Sequence, residues 1–491
     1  MIPAKCPIMA TPIPANHCAF TLGEAAAAVG GVLRGAQPEI HASSVSIDTR
    51  SLEAGALFVA LRGEADGHAY LARAAERGAA AAIVETGRAI DALASIEVAD
   101  PLDALGRLAG AHLARIRAAR DLPLVTIGGA AGKTTTKELT AAAARAILGD
   151  TLATPGNLNN LIGVPMTIFM LTAEHRAAVL ECGTNTRGEI ARLGAIVQPD
   201  AAAVLNIAIE HSEGLGTLEE IADEEASIFS AARRTAVVPA DDALLSHRLP
   251  ERLRAITFGL ARGAYVRVAD RAALSDGRAR IRLEINPALL ASTANPVLNV
   301  EIQMLGAAAA LNCAAAMAAV IAISSAPITA DGLEAIGAVF AAAKPIARRM
   351  VPLQIRGALV LDDSYNAQPP SMGIAIETAR EIAAARGARL ILALGDMLEL
   401  GALAPASHDA ALRHALDSSA AVIVAVGPEM RAARARVTSS RCDLLDAADS
   451  DDAARIVRGI LRSGDVLLVK GSLGMAMDRM INAILPDRTG R

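Results

Sequence analysis

The segment Gly128–Glu138, GGAAGKTTTKE, follows an apolar run and leads into an Ala-rich stretch with helical spacing. Glycines there let backbone N–H groups close on an anion, and a helix opening just after them presents its positive end. In such a loop Lys133 reaches the outer phosphates of a nucleoside triphosphate, and Thr134 offers a hydroxyl to Mg2+. Gly129, Gly132 and Thr135 complete the cradle. The common phosphate-loop pattern asks for glycine five residues before Gly132, where this chain has Ile127. The competing reading is a glycine-rich turn ahead of an ordinary helix.

Other polar groups fall where open α/β sheets bind ligands, at the carboxyl ends of apolar runs. Glu181 ends AAVLE, and His211 follows VLNIAIE; both suit magnesium ligation. TPGNLNN (154–160) gathers turn formers and amides and also reads as a plain loop. Near the C-terminus, DDSYNAQP (362–369), GDMLELG (395–401) and KGSLGM (470–475) each follow a strand-like run. They put Asp362, Asp363, Asn366 and Lys470 on one rim, although any one of these loops could simply cap a helix.

The elements that must hold these groups read as α/β. Val45–Ile47, Leu57–Leu61 and Ala80–Val84 predict strands of a first unit, and residues 104–119 predict an amphipathic helix bridging to a second. Strands 122–127, 177–180, 202–206 and 235–238 alternate with helical stretches and predict a parallel sheet. Residues 262–303 alternate with period two and predict an antiparallel insertion. A third α/β unit carries strands 358–361, 390–394, 421–426 and 466–469. The expected division is a flexible tail 1–17, then units 18–103, 104–339 and 340–491. The chain of 491 residues has a net charge of −5 and only 2% aromatics, which argues against nucleic-acid binding and base stacking. The five cysteines, Cys6, Cys18, Cys182, Cys313 and Cys442, are scattered, so neither a zinc ribbon nor a disulfide framework is expected. No membrane span is expected either: the longest apolar stretch, 305–324, contains Asn312 and reads as a buried Ala helix.

Taken together, these segments resemble the Mur ligases. SIDTRSLEAGALFVALRGEADGHAYL, TPGNLNNLIGVP, ECGTNTRGEI, EHSEGLG, DDSYNAQPPSM, LGDMLELG and VKGSLGM look like family motifs in family order, from about Phe20 to Leu485. The resemblance implies three domains: an N-terminal domain for a uridine-nucleotide substrate, a central phosphate-loop sheet for ATP, and a Rossmann-like C-terminal domain. It implies amide-bond formation through an acyl phosphate, with ATP and Mg2+ and with small-molecule substrates, in a cytoplasmic protein expected to be monomeric. Lys133, His211 and Arg349 would be catalytic. Gly129, Gly132, Lys133, Thr134, Thr135, Asn312 and Asn366 would bind nucleotide. Ser46, Asp48, Arg50, Asp66, His68, Asn159, Asn160 and Lys470 would bind substrate, and Thr134, Glu181, His211 and Glu225 would hold metal.

The chain departs from the family pattern at several of these places. Ala130 removes a loop hydroxyl, and Leu161 interrupts an amide run. Glu225 stands where the family has a carbamylated lysine. Ala308 and Ala309 replace a His-Asn pair, and Arg348 replaces a glycine before Arg349. Three outcomes stay open: a ligase building the cell-wall peptide, a Mur-type ligase acting on another carboxylate, and a non-catalytic partner protein.

Overall fold

The computed structural model describes residues 11–63, 65–209, 212–274, 278–437 and 442–485. Besides a two-stranded pairing of Phe20–Thr21 with His41–Ala42, three larger β-sheets follow one another along the chain. The first has five strands in the spatial order Val32–Arg34, Ser95–Val98, Ala81–Glu85, Leu57–Val59, Val45–Ser46. Only the first pair is antiparallel. The helix Pro101–Ala119 then leads to the second sheet. Its start is set by Pro101 at the first helical position and by Asp100, whose carboxylate accepts the Leu102 N–H at 2.8 Å.

The second sheet has nine strands. Its parallel half places Leu124–Gly128 between Ala201–Val204 and Ala177–Glu181. Every residue of these three strands is buried, as expected of a sheet covered on both faces. Strands Val266–Ala273, Ala279–Ile285 and Val297–Ile302 are antiparallel to one another, as the period-two pattern predicts. They are not a separate insertion, because Val266–Ala273 pairs in parallel with Arg254–Gly259 and carries the central sheet outward.

The third sheet has six strands, in the order Val351–Ile355, Ala358–Asp363, Val466–Lys470, Leu390–Gly395, Val422–Val426, Asp443–Ala447. Only its first pair is antiparallel. At the end of Leu390–Gly395 the buried Asp396 carboxylate accepts the N–H groups of Met430 at 2.8 Å and Glu429 at 3.2 Å. It thereby caps the helix Pro428–Ala435 from a neighbouring strand.

Helix Gly306–Ile323 is long and apolar enough to cross a membrane by length and composition, yet 78% of it is buried within the protein. It packs on the central sheet beside the helix Lys133–Leu148. Cys18, Cys182, Cys313 and Cys442 are buried free thiols.

The expectation of a flexible tail over 1–17 is corrected for residues 11–17. Asn16 is buried, donates to the Val45 carbonyl at 2.8 Å and accepts the Val45 N–H at 3.0 Å. Thr11 reaches Asn157 of the second unit at 2.6 Å. Residues 1–10 lie outside the described residues.

The first two units share one apolar core. At its centre the ring of His112 sits between Phe20 and Phe169, with centroids 6.2 and 6.3 Å away. Its Nε2 donates to the Leu171 carbonyl at 3.3 Å, and its Nδ1 accepts from Arg115 at 3.2 Å. Burial pushes this imidazole down from 6.5 to about 4. The folded state therefore favours the neutral ring, so its stabilisation is complete above pH 6.5 and is lost as pH falls toward 4. Acidification through that window should remove up to about 3 kcal/mol of stability from the wild type. His112→Gln should be less stable at neutral pH and less sensitive to acid. Denaturant melts on either side of the window check this; parallel curves for the two proteins would refute it.

Candidate active site

The strand Leu124–Gly128 delivers its last residue to the carboxyl edge of the central sheet. Ile127 is still paired within the sheet, opposite Glu181 and Ala203, and Gly128 opposite Val204, so the loop begins only after Gly128. Two glycines are required by shape. Gly129 has φ +107°, and a Cβ there would fall 2.8 Å from the Leu205 nitrogen. Gly132 has φ +88°, and a Cβ there would fall 2.6 Å from Asn312 Oδ1.

Asn206, just beyond the neighbouring strand, clamps the loop with three groups. Its backbone carbonyl accepts the Ala130 N–H at 3.1 Å, and its Oδ1 accepts the Ala131 N–H at 2.9 Å. Its Nδ2 donates to the Ala131 carbonyl at 2.8 Å. The Lys133 ammonium folds back over the loop, donating to the carbonyls of Gly129 at 2.5 Å and Ala130 at 3.3 Å.

Two buried carboxylates border this loop. Glu225 Oε2 accepts the Gly129 N–H at 2.8 Å, while its Oε1 is buried without a hydrogen-bond partner. Burial pushes this carboxyl up, opposed by the charge of Lys133 and the Gly129 N–H. Glu181 Oε1 accepts from Asn159 Nδ2 at 2.9 Å and from the Thr134 hydroxyl at 3.3 Å; its Oε2 is likewise buried and unpartnered. Leaving such oxygens unpaired is costly. Hard oxygen donors from two carboxylates and a hydroxyl, beside a phosphate loop, fit Mg2+, which keeps waters and substrate phosphates for its other positions. Among the described residues no three His, Cys, Asp or Glu side chains converge. His211 lies outside the described residues.

The third unit closes a cavity of about 520 Å³ over the loop. Arg349 donates to the Thr134 hydroxyl at 3.3 Å and stacks on Tyr365, with its guanidinium carbon 4.3 Å from the ring centre. Its neighbour Arg348 turns the other way. That side chain donates to the Ser364 carbonyl at 2.7 Å and its hydroxyl at 3.1 Å, and pairs with Asp478 at 3.0 Å. Arg348 has φ +62°, a conformation that costs a non-glycine residue about 1 kcal/mol. These three bonds offset the strain. Lys470, almost wholly buried, bonds Asp363 at 2.6 Å and the Asn366 carbonyl at 2.8 Å.

Gly132, Lys133, Thr134, Thr135, Asn159, Asn160, Glu181, Asn312, Arg349, Asn366 and Lys470 all line this cavity. Asn160 also starts the helix Gly163–Ile168, accepting the N–H groups of Ile162 and Gly163. Ala308 and Ala309 line the wall with Asn312, leaving apolar surface on that side.

The N-terminal residues do not line it. Ser46, Asp48 and Arg50 form a tight turn, in which the Arg50 side chain grips both Asp48 oxygens at 2.7–3.0 Å and lowers that carboxyl's pKa. Asp66 accepts from His68 Nδ1 at 2.7 Å, while His68 Nε2 accepts the Glu85 N–H at 3.0 Å. Both ring nitrogens of His68 are thus committed within the fold.

Three groups escaped the sequence reading. Asn206 registered only as the end of the expected strand 202–206. Lys137 is fully buried, pairing with Glu138 and donating to the Thr154 carbonyl at 2.8 Å. The Thr154 hydroxyl in turn accepts the Glu181 N–H at 2.8 Å. A fixed backbone contact of this kind leaves no pattern in spacing.

Comparison with known proteins places this geometry in a family. Residues 41–120, 127–320 and 348–473 match the models for the Mur ligase family catalytic domain, the Mur ligase middle domain and the Mur ligase glutamate ligase domain. The chain belongs to the Mur ligase family. Within it, the chain is 34% identical over 475 residues to the UDP-N-acetylmuramoyl-tripeptide–D-alanyl-D-alanine ligase of Escherichia coli strain K12, covering 96% of this chain and 99% of the relative. Among solved structures it is similar to MurF from Acinetobacter baumannii, with TM-score 0.83 and 27% identity over 95% of this chain and 98% of that one. The MurF ligase of Thermotoga maritima in complex with ADP shares the fold, with TM-score 0.75 and 24% identity over 90% and 96% of the two chains.

Asn206→Ala should leave the sheet intact, costing about 1–2 kcal/mol of stability for two lost hydrogen bonds. Affinity for ADP with Mg2+ should fall at least about tenfold as the loop loosens. Calorimetric titration beside a denaturant melt checks this; unchanged ADP affinity would show that the clamp is dispensable.

Proposed function

We infer that this protein is an ATP-dependent, ADP-forming ligase that joins D-alanyl-D-alanine to UDP-N-acetylmuramoyl-tripeptide in peptidoglycan synthesis. The similarity to ligases of that name runs the length of the chain, N-terminal unit included. The observation that carries the chemistry is the cavity in which Lys133, Thr134 and Glu181 of one unit face Arg349 and Lys470 of another.

The reaction needs the terminal phosphoryl of ATP passed to a carboxylate. The resulting acyl phosphate is attacked by an amine, and the tetrahedral intermediate expels phosphate. Both partners in the first step are anions, so positioning and charge neutralisation are the main tasks. Lys133 is tethered to loop carbonyls; exchanging these for phosphate oxygens brings its charge onto the transferred group. Arg349 approaches from the opposite wall and supplies a second cation. Asn206 and Glu225 fix the loop by taking its Gly129, Ala130 and Ala131 N–H groups, so that the first-turn N–H groups of the helix Lys133–Leu148 donate to the remaining phosphate oxygens. Thr134, Glu181 and Glu225 would hold Mg2+, which neutralises phosphate charge when bound; His211 is the fourth proposed ligand. Asn312 and Asn366 are assigned to the nucleotide. Asn159, Asn160 and Lys470 are assigned to the acceptor, and Ser46, Asp48, Arg50, Asp66 and His68 to the uridine end or its support. Closure of the third unit keeps water from the acyl phosphate.

We also propose a monomer working in the cytoplasm without a membrane span, on small molecules and not nucleic acid. The requirement for ATP, the free thiols and the burial of the apolar helix Gly306–Ile323 support this. Loss of polar groups at Ala130, Ala308 and Ala309 favours a second reading, in which the same chemistry acts on another carboxylate.

Purified protein with ATP, Mg2+, UDP-N-acetylmuramoyl-tripeptide and D-alanyl-D-alanine should release phosphate only when all four are present. Release with a different acid in a substrate panel would select the second reading. No release with any acid would leave only a binding protein. Lys133→Ala should lower kcat about 10³-fold. Glu225→Gln keeps the bond from Gly129 but removes a charge. It should raise the Mg2+ concentration for half-maximal rate at least about tenfold; an unchanged Mg2+ requirement would remove Glu225 from the metal site.

A further inference from the structure

A second cleft, of about 720 Å³, lies between the helices Pro101–Ala119 and Glu189–Val197. It is remote from the phosphate loop. Asp200, at its base, accepts the N–H of Leu124, the first residue of the strand whose last residue is Gly128. The cleft thus sits at the amino edge of the central sheet, about a strand's length from the loop.

Its charge is out of balance. Four arginines, Arg107, Arg117, Arg192 and Arg233, line it against one carboxylate, Asp103. Asp103 is taken by Arg107 at 2.9 Å. Beneath the wall, the buried Asp200 is shared by Arg117 at 3.0 Å and by Arg233 and Arg234 at 3.6 Å each. Arg192 is exposed, with no ion pair among the described residues. This surplus of cations stands on a chain whose net charge is −5.

Part of it has a structural use. Arg117 donates to the carbonyls of Val197 at 3.1 Å and Gln198 at 2.8 Å, where the helix dipole leaves partial negative charge. Arg107, paired with Asp103, likewise donates to the Val29 carbonyl at 3.2 Å, so two of the four guanidiniums serve the fold, and the Arg117 Nε remains buried without a partner. Burial chiefly disfavours the protonated form of Arg117, with Arg233 and Arg234 adding to this and Asp200 opposing it. The floor is apolar, with Leu102, Leu113, Leu161 and Ile196 in the lining; Gly106 lets Ile196 pack close against the first helix, since a Cβ there would fall 2.6 Å from Ile196 Cδ1.

We propose that this cleft is a second, non-catalytic binding site for a small organic phosphate. The phosphate is held by Arg192 and Arg233, and the apolar portion lies on the Leu102–Ile196 floor. Guanidiniums suit phosphate because their donors match its oxygens pairwise.

The test uses phenyl phosphate as the probe, on full-length protein with ADP and Mg2+ saturating the phosphate loop. Calorimetric titration should show saturable binding with Kd below about 1 mM, tighter than inorganic phosphate or phenol. Arg192→Ser with Arg233→Ser, both exposed positions, should weaken it at least about tenfold while leaving ADP affinity unchanged. Added salt should weaken it as well. The proposal is overturned if phenyl phosphate shows no saturable binding when ADP is bound, or if the double variant binds it as the wild type does. It is equally overturned if phenol binds as tightly as phenyl phosphate, since the arginines would then contribute nothing.

Discussion

Burial of negative charge beside the phosphate loop is the constraint on which the site depends. Glu181 and Glu225 are almost wholly enclosed, and each leaves one oxygen without a hydrogen-bond donor. A buried carboxylate is stable only if something nearby answers its charge. The Thr134 hydroxyl and Asn159 amide answer Glu181 in part, and the Gly129 N–H and the charge of Lys133 answer Glu225 in part. The remainder is a place for cations. This ties the loop's shape to its chemistry, because Gly129 both turns the backbone and donates to Glu225. Glu225 is thus an anion lodged under the loop.

The third unit depends on the second through adjacent arginines with opposite duties. Arg349 crosses the gap to Thr134, whereas Arg348 holds its own unit through Ser364 and Asp478. A glycine at 348 would relieve the backbone but release the Ser364–Asp478 tether. The close approach of the two units elsewhere rests on Gly306, whose φ is +80° and whose missing side chain leaves room for Thr378. Arg271 and Glu381 add a two-pronged ion pair across the same junction, at 2.7 and 2.8 Å.

Much of this was legible from residue types alone. Apolar runs ending in Gly128, Glu181, Asp363 and Lys470 gave both the strands and the rim, because a parallel sheet buries its strands and offers polar groups only at their ends. Tertiary contacts were not legible. Asn206 acts through two amide atoms on one residue across a strand gap, and Lys137 acts on a carbonyl that any sequence would supply. The antiparallel strands were read correctly from their alternation. Their continuity with the central sheet depends on a short parallel pairing, Phe258 and Gly259 with Val266 and Arg267, which alternation does not encode. Residues 11–17, expected as part of a flexible tail, are pinned by one buried asparagine.

The Asp396 cap has a bearing on what the third unit can never become. In sheets of this kind, the helix start beyond a central strand is the usual seat for the pyrophosphate of a dinucleotide. Here the chain has filled that seat with a carboxylate of its own, fixed to two backbone N–H groups and shut in by Gly427. An incoming phosphate would have to evict a tethered anion before gaining any donor. The domain keeps the architecture of a cofactor binder, with that helix start already tied to a carboxylate of its own.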